Sequence, residues 1–173
     1  AFVIRCDFSP VVKHATIPMN KVARRALVSL LLGGVASVSA ASAGCDQGEL
    51  LFHCSFSQGK KAVTLCQEGE RYSYAYGRIG YAPELRLVRD LPELGFTPWN
   101  GIGRSIWEEV TFRNASVEYL IGYSIDRVSE AVPEGSLTVM EGGQRLALLI
   151  CDAGSVEVNF TPLANAVFDA GLN

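Results

Sequence analysis

From residue 49 onward the chain alternates apolar and polar positions over short runs, broken by glycine, proline and charged clusters. That is the pattern of strands with one buried face. Leu50 to Phe56 sets Leu50, Phe52, Cys54 and Phe56 on one side and His53 and Ser55 on the other. Ser57-Gln58-Gly59-Lys60 supplies a hairpin turn, since glycine takes the positive φ such loops require. Ala62 to Cys66 returns, Gln67-Glu68-Gly69-Glu70 turns again, and Arg71 to Tyr76 lines Tyr72, Tyr74 and Tyr76 along one side. Glu84 to Val88 follows. The longer connection from Asp90 to Gly103 holds Pro92, Pro98 and Gly101, which interrupt regular ladders. Ile106 to Phe112 and Ser116 to Ile125 predict a hairpin around Arg113-Asn114-Ala115, and Val117, Tyr119, Ile121, Tyr123 and Ile125 alternate without a break. Asp126 to Gly135 reads as loop, and Leu137 to Met140 pairs with Arg145 to Cys151 across Glu141-Gly142-Gly143-Gln144. The spacing predicts a mainly β fold, an antiparallel barrel or sandwich of about eight strands. Beyond it, Thr161 as N-cap, Pro162 at the first helical position and Leu163, Ala166, Val167 and Ala170 at helical spacing predict a short C-terminal helix ending at Gly171.

The residues upstream follow a different logic. Met19-Asn20-Lys21-Val22-Ala23-Arg24-Arg25 is basic, Ala26 to Val38 is apolar, and Ala41-Ser42-Ala43 has the small side chains of a cleavage site. Residues 19–43 therefore read as a secretory signal peptide. Residues 1–18, which precede the methionine, read as an untranslated upstream extension, and 44–173 as a single β domain. The apolar run is shorter than the roughly 20 residues a membrane span needs. Arg24-Arg25 resembles a twin-arginine signal, but Ala23 and Val28 fit that pattern poorly. Ser42-Ala43-Gly44-Cys45 resembles a lipoprotein box, although Ser42 replaces the usual aliphatic residue and a lipid on Cys45 would leave an odd number of cysteines. The expectation is a soluble periplasmic or secreted protein without a lipid anchor at Cys45.

Charge changes once the leader is set aside. Residues 44–173 hold ten basic and seventeen acidic side chains, a net charge of −7 against −3 for the whole chain. That balance excludes a nucleic-acid partner, whose phosphates demand a basic footprint, and opposes attraction to anionic lipid. It favours steering toward a basic protein, or simply keeps an exported chain soluble.

Cys45, Cys54, Cys66 and Cys151 predict two disulfides in an exported domain, with three possible connectivities. If Gln58 and Gly59 centre the first hairpin, Cys54 lies opposite Val63 and Cys66 opposite Leu51. Side chains alternate across a strand, so Cys54 and Cys66 face opposite sides and do not bond each other. Cys54–Cys151 and Cys45–Cys66 is the pairing this register favours. The cysteines lack Cys-x-x-Cys spacing and His53 is the one histidine in 44–173, so no metal or other cofactor is expected.

Candidate chemistry is sparse. His53 could act as a general base, but no nucleophile motif accompanies it, and its place on the outward face predicts a surface histidine. Glu108, Glu109 and Glu118 could form paired carboxylates if the hairpin turns at Asn114, which brings Glu109 near Glu118. Solvated charges are the plainer reading. Gly101-Ile102-Gly103 precedes a β pattern rather than a helix, which excludes a nucleotide loop. Pro98-Trp99-Asn100-Gly101-Ile102-Gly103-Arg104-Ser105-Ile106-Trp107 is where two tryptophans, an arginine and small polar residues converge, and Trp and Arg dominate binding hot spots. Trp99, Gly101, Gly103, Arg104, Ser105 and Trp107 are therefore the candidate partner-binding residues; the competing role for Trp99 is packing over the end of the β domain. The Tyr72, Tyr74, Tyr76 stripe reads as a core face before a ligand platform.

Phe52-His53-Cys54, Gly59-Lys60-Lys61, Leu65-Cys66, Tyr72 to Gly77, Pro83-Glu84-Leu85 and Leu149-Ile150-Cys151 together resemble a group of uncharacterised small exported bacterial proteins. In outline the chain is also similar to the periplasmic and membrane-bound inhibitors of c-type lysozyme. That resemblance implies a small antiparallel barrel with a cysteine of its first strand tied to one near its end. It also implies a loop of small polar and basic residues inserted into the lysozyme cleft. Gly101-Ile102-Gly103-Arg104-Ser105 is the segment that matches the loop. Arg104 would bring charge to an acidic cleft, Ser105 a hydrogen bond, and Trp99 or Trp107 an apolar anchor. The sequence thus leads to a non-enzymatic binding module, with two alternatives: a carrier holding a small apolar ligand inside the barrel, and a small hydrolase using the glutamates.

Overall fold

Short turns between alternating runs make consecutive strands pair antiparallel. The computed structural model, which describes residues 44–129 and 131–172, is built this way. The proposed upstream extension and signal peptide lie outside those residues. Strands β1 (Glu49–Phe56), β2 (Lys61–Glu68), β3 (Arg71–Arg78) and β4 (Leu85–Asp90) form successive hairpins. A 3-10 turn, Leu91–Glu93, leads to β5 (Gly95–Thr97), β6 (Ser105–Asn114), β7 (Val117–Asp126), β8 (Glu134–Glu141) and β9 (Gln144–Ile150). Then come β10 (Glu157–Val158) and the helix α1 (Thr161–Asp169). The strands make two five-stranded sheets, β10-β1-β2-β3-β4 and β5-β6-β7-β8-β9. Among the described residues no ladder joins one sheet to the other, and no helix is long and apolar enough to cross a membrane.

One apolar core serves both sheets. Val63, Leu65, Tyr72 and Tyr74 from the first and Val110, Phe112, Ile121 and Leu137 from the second are at most 2% exposed and belong to one cluster. The rings of Tyr74 and Phe112 lie 5.6 Å apart across it, and those of Tyr74 and Tyr119 5.5 Å. Full burial of each large side chain contributes roughly 1.5–3 kcal/mol, which makes the alternation seen in the sequence the main organiser of the fold. The tyrosine stripe is a core face, as its period indicates. Burial drives the Tyr74 hydroxyl far above the ordinary tyrosine range.

Both disulfides join the expected partners, Cys45 with Cys66 and Cys54 with Cys151. Cys54 stands opposite Val63 in the ladder, but Leu50, not Leu51, opposes Cys66. The register shifts between Leu50 and Phe52, where a bulge lets Leu51 and Phe52 both reach the core. Gly135 admits the second disulfide: a Cβ there would stand 2.8 Å from Cys151 Sγ and 3.1 Å from the Phe52 ring. Asp152, next in sequence, ties the same end of the domain together. Its carboxylate accepts hydrogen bonds from the Gln58 and Gly59 backbone N–H groups and the Ser55 hydroxyl at 2.8–3.0 Å. Those donors, the two amides first, hold its carboxyl below the usual carboxylate range.

Several local expectations change. Two short strands, β5 and β10, appear where the sequence predicted only irregular chain, because two or three residues cannot display a period. The central hairpin turns at Ala115-Ser116, with Ala115 at a φ of 53°, so Asn114 pairs with Val117 rather than capping the turn. The helix begins at Thr161 itself, with Phe160 in the N-cap position and no side-chain cap. Phe160 is fixed there by packing: its ring lies within 6.4 Å of those of Phe52, Phe96 and Tyr123. Tertiary burial of that ring outweighs the roughly 1 kcal/mol that a threonine cap offers.

Candidate functional site

The connection from β5 to β6 is ordered by its own side chains. Gly101 and Gly103 adopt φ of 80° and 103°, and the Asn100 side-chain oxygen accepts a hydrogen bond from the Ile102 N–H at 3.0 Å. The Trp99 indole N–H donates to the Ile102 carbonyl at 3.0 Å. A second set of contacts fastens the loop to the end of β7. The Arg127 N–H donates to the Arg104 carbonyl at 2.9 Å, its Nη1 to the Gly103 carbonyl at 3.2 Å, and its guanidinium lies 4.8 Å from the centre of the Trp99 ring. Arg104 Nε donates to Asp126 Oδ2 at 2.7 Å, while Asp126 Oδ1 accepts from the Val128 N–H at 2.8 Å. The Val128 amide first, and then Arg104, keep the Asp126 carboxyl below the usual range.

The outcome is a braced protrusion. Ile102 projects from its apex 76% exposed, and the Arg104 side chain is 74% exposed. Asp126 engages Arg104 through Nε, and among the described residues the Arg104 Nη groups make no hydrogen bond. Ser105 opens β6 opposite Asp126, exposed. Trp99 is half-buried beneath Arg127 rather than packed over the core, so the structure brings Trp99, Gly101, Gly103, Arg104 and Ser105 together. Trp107 follows two residues along β6 from Ser105, on the same face of the strand. It lies on the outer face of the second sheet and lines a depression of about 290 Å³ with Glu109, Gly122, Ser124, Glu134 and Ile150. Sequence reasoning passed over Ile102 and Arg127. An isoleucine between two glycines in a polar loop is a signal for the first; nothing in the sequence places Arg127 against Trp99.

The three glutamates do not converge. Glu109 opposes Gly122 and Glu118 opposes Arg113, which holds it in an ion pair at 3.0 Å. Those two rungs are four residues apart, about 13 Å at the ~3.3 Å rise of a strand. The turn at Ala115-Ser116 is what separates them. Glu108 faces the other way and accepts a hydrogen bond from the Tyr123 hydroxyl at 3.0 Å, which together with burial, the larger cause, lifts that tyrosine to about 12. Burial raises the Glu109 carboxyl.

His53 is on the side of β1 that alternation assigns, away from the core, yet it is 8% exposed. Pairing of β10 onto β1 makes β1 an interior strand and sets Glu157 beside His53. Nδ1 lies 3.0 Å from Thr64 Oγ1, and burial lowers the imidazole's proton affinity against the pull of Glu157. A groove of about 260 Å³ passes over it, lined by the small side chains of Ala62, Thr64, Ser73 and Ala75 and by the Cys45–Cys66 disulfide. Comparison with protein-family models, with curated proteins and with solved structures gave no match.

Proposed function

We propose that this chain is an exported, non-enzymatic binding module, its two sheets packed as a sandwich, and that its 98–105 loop inserts into the acidic cleft of a lysozyme-type glycosidase. One observation carries the reading: the loop is braced from within by Trp99, Asn100 and Arg127, yet it offers Ile102 and Arg104 to solvent. A loop already held in one conformation loses less entropy on binding than a mobile one. Arg104 presents a guanidinium of the planar, bidentate kind that carboxylates accept, and Ile102 presents the apolar tip.

Export accords with the two disulfides, which persist in oxidising compartments, and the periplasm or the extracellular space is the proposed location. The net charge of −7 in 44–173 assists encounter with a basic target. The carrier alternative has less support, because the space between the sheets is filled by aromatic and aliphatic side chains.

A lysis-protection assay tests the proposal. The purified, oxidised protein is titrated against a c-type lysozyme acting on cell-wall suspensions, beside Arg104→Ala and Ile102→Asp. Stoichiometric protection that both substitutions abolish is the expected result. Absence of protection at micromolar excess rejects the lysozyme target, and protection unchanged in both variants rejects the loop.

A further inference from the structure

Four strands end the two sheets, and three of them are poorly suited to further pairing. β10 has two residues and β5 three, while β4 carries Arg86, Arg89 and Asp90 in six. Short length and edge charge are the devices by which sheets avoid joining other strands. β9 has neither. It runs seven residues, Gln144-Arg145-Leu146-Ala147-Leu148-Leu149-Ile150, with one charge and no proline. Leu146, Leu148 and Ile150 are 59%, 46% and 63% exposed, whereas Ala147 and Leu149 pair with Val139 and Leu137 toward the core. Among the described residues, β9 pairs with β8 alone, and its other edge has no partner strand.

We propose that β9 is where two copies of this protein join, antiparallel, to continue their second sheets into one. An open ladder edge presents N–H and C=O groups at strand spacing, so what fits it is another extended strand. A twofold axis perpendicular to the sheet at Leu148 pairs Leu146 with Ile150, Ala147 with Leu149, and Leu148 with its own counterpart. Directly opposed residues in an antiparallel pair share a face. The three exposed apolar side chains of each copy then cover those of the other, and the core-side residues also match.

Charge selects the same arrangement. Arg145 is the sole cation of β8 and β9 and lies at one end of β9, paired with Met140. Glu134 begins β8 at the opposite end, two residues before Ser136, which pairs with Ile150. Glu141 closes β8 opposite Gln144, so both ends of the hairpin carry acid, and the discriminating charge is Arg145 itself: antiparallel pairing holds the Arg145 side chains of the two copies at opposite ends, while parallel pairing would stack Arg145 upon Arg145. A second copy satisfies apolar, backbone and charge requirements with one register. A single strand edge buries less than the about 1,200 Å² of a stable specific interface, so the dimer belongs with weak, concentration-dependent assemblies.

Sedimentation velocity of the purified, oxidised protein from about 1 to about 500 µM reads the equilibrium by mass action. The expected result is a reversible monomer–dimer system whose association Leu148→Lys weakens by at least about tenfold, a step of about 1.4 kcal/mol, with an unchanged circular dichroism spectrum. Leu148→Cys supplies a gain of signal. Opposed Cα atoms about 4.5–5.5 Å apart in an antiparallel pair fall within disulfide range, so mild oxidation links two copies through position 148. Thr138→Cys, on the same face one strand inward, does not link. A monomer throughout the range, a ladder of larger oligomers, equal cross-linking at both positions, or a monomer whose β9 pairs only with an unrelated chain would each overturn the proposal.

Discussion

Replacing Cys54 and Cys151 together by alanine removes a cross-link between residues 97 apart, whereas removing Cys45 and Cys66 opens one between residues 21 apart. In the chain-entropy account, stabilisation grows with the logarithm of the closed loop, giving about 4.7 kcal/mol for the long loop and about 3.4 kcal/mol for the short one. The loops interlock, since Cys54 lies between Cys45 and Cys66. Even so, the path through the other bond is no real shortcut: it barely shortens the long loop and exceeds the short one. Packing widens the difference. Cys54 is fully buried and Cys151 Sγ rests beside Gly135 and Phe52 in the core, while the Cys45–Cys66 bond lines an open groove. Urea unfolding of the oxidised protein and the two double variants, followed by Trp fluorescence and circular dichroism, gives the three stabilities by linear extrapolation. Loss of the long cross-link should cost at least about 1.3 kcal/mol more than loss of the short one. An equal or reversed order refutes the argument and moves the main stabilising role to the fastening of the N-terminal segment onto the first sheet.

Three further outcomes follow from individual residues. Asp152 binds its proton more weakly in the folded state than in the unfolded one, so its contribution is present above about pH 4 and fades as acid is added through its folded pKa; Asp152→Asn should lower the melting temperature at pH 7 and flatten the acid limb below about pH 4, and parallel curves would exclude the carboxylate. The buried His53 imidazole is harder to protonate folded than unfolded, so protonation of the unfolded chain should erode stability as pH falls below about 6.5; an NMR titration assigned with His53→Gln should place its midpoint below that value, and a midpoint above 6.5 would show that Glu157 prevails. Phe160→Ala deletes the ring that docks the helix against Phe52, Phe96 and Tyr123, at an expected cost of about 3–5 kcal/mol in the same urea experiment; a loss under about 1 kcal/mol would mean that the helix contributes little to the core.

The eight longer strands, the tyrosine core face and the cysteine pairing were legible because each rests on a local rule. Alternation assigns Phe52, Cys54, Tyr72 and Tyr74 to one side whatever lies across from them, and a turn centred on Gln58-Gly59 separates Cys54 from Cys66 by parity. The arithmetic failed only where a local exception intervened. The bulge at Leu51 and the positive φ of Ala115 each shifted a register that the residues on either side could not reveal.

The candidate loop was located by composition and its order was not. Proline, glycine, tryptophan and arginine in succession mark an irregular, contact-prone segment, but Arg127 reaches Gly103, 24 residues away in sequence, and Trp99, further still, from the far end of β7. His53 shows the same division. Its side of the strand followed from alternation; its burial depended on β10, a partner one hundred residues downstream and only two residues long. What the sequence alone determined are the quantities that depend on neighbours within a few positions: strand faces, the short helix, the parity of the cysteines and the charge balance. Tertiary structure decided which sheet edges are open, which side chains brace the loop and where burial perturbs a titrating group, because each of these arises when distant segments exclude water from the same place.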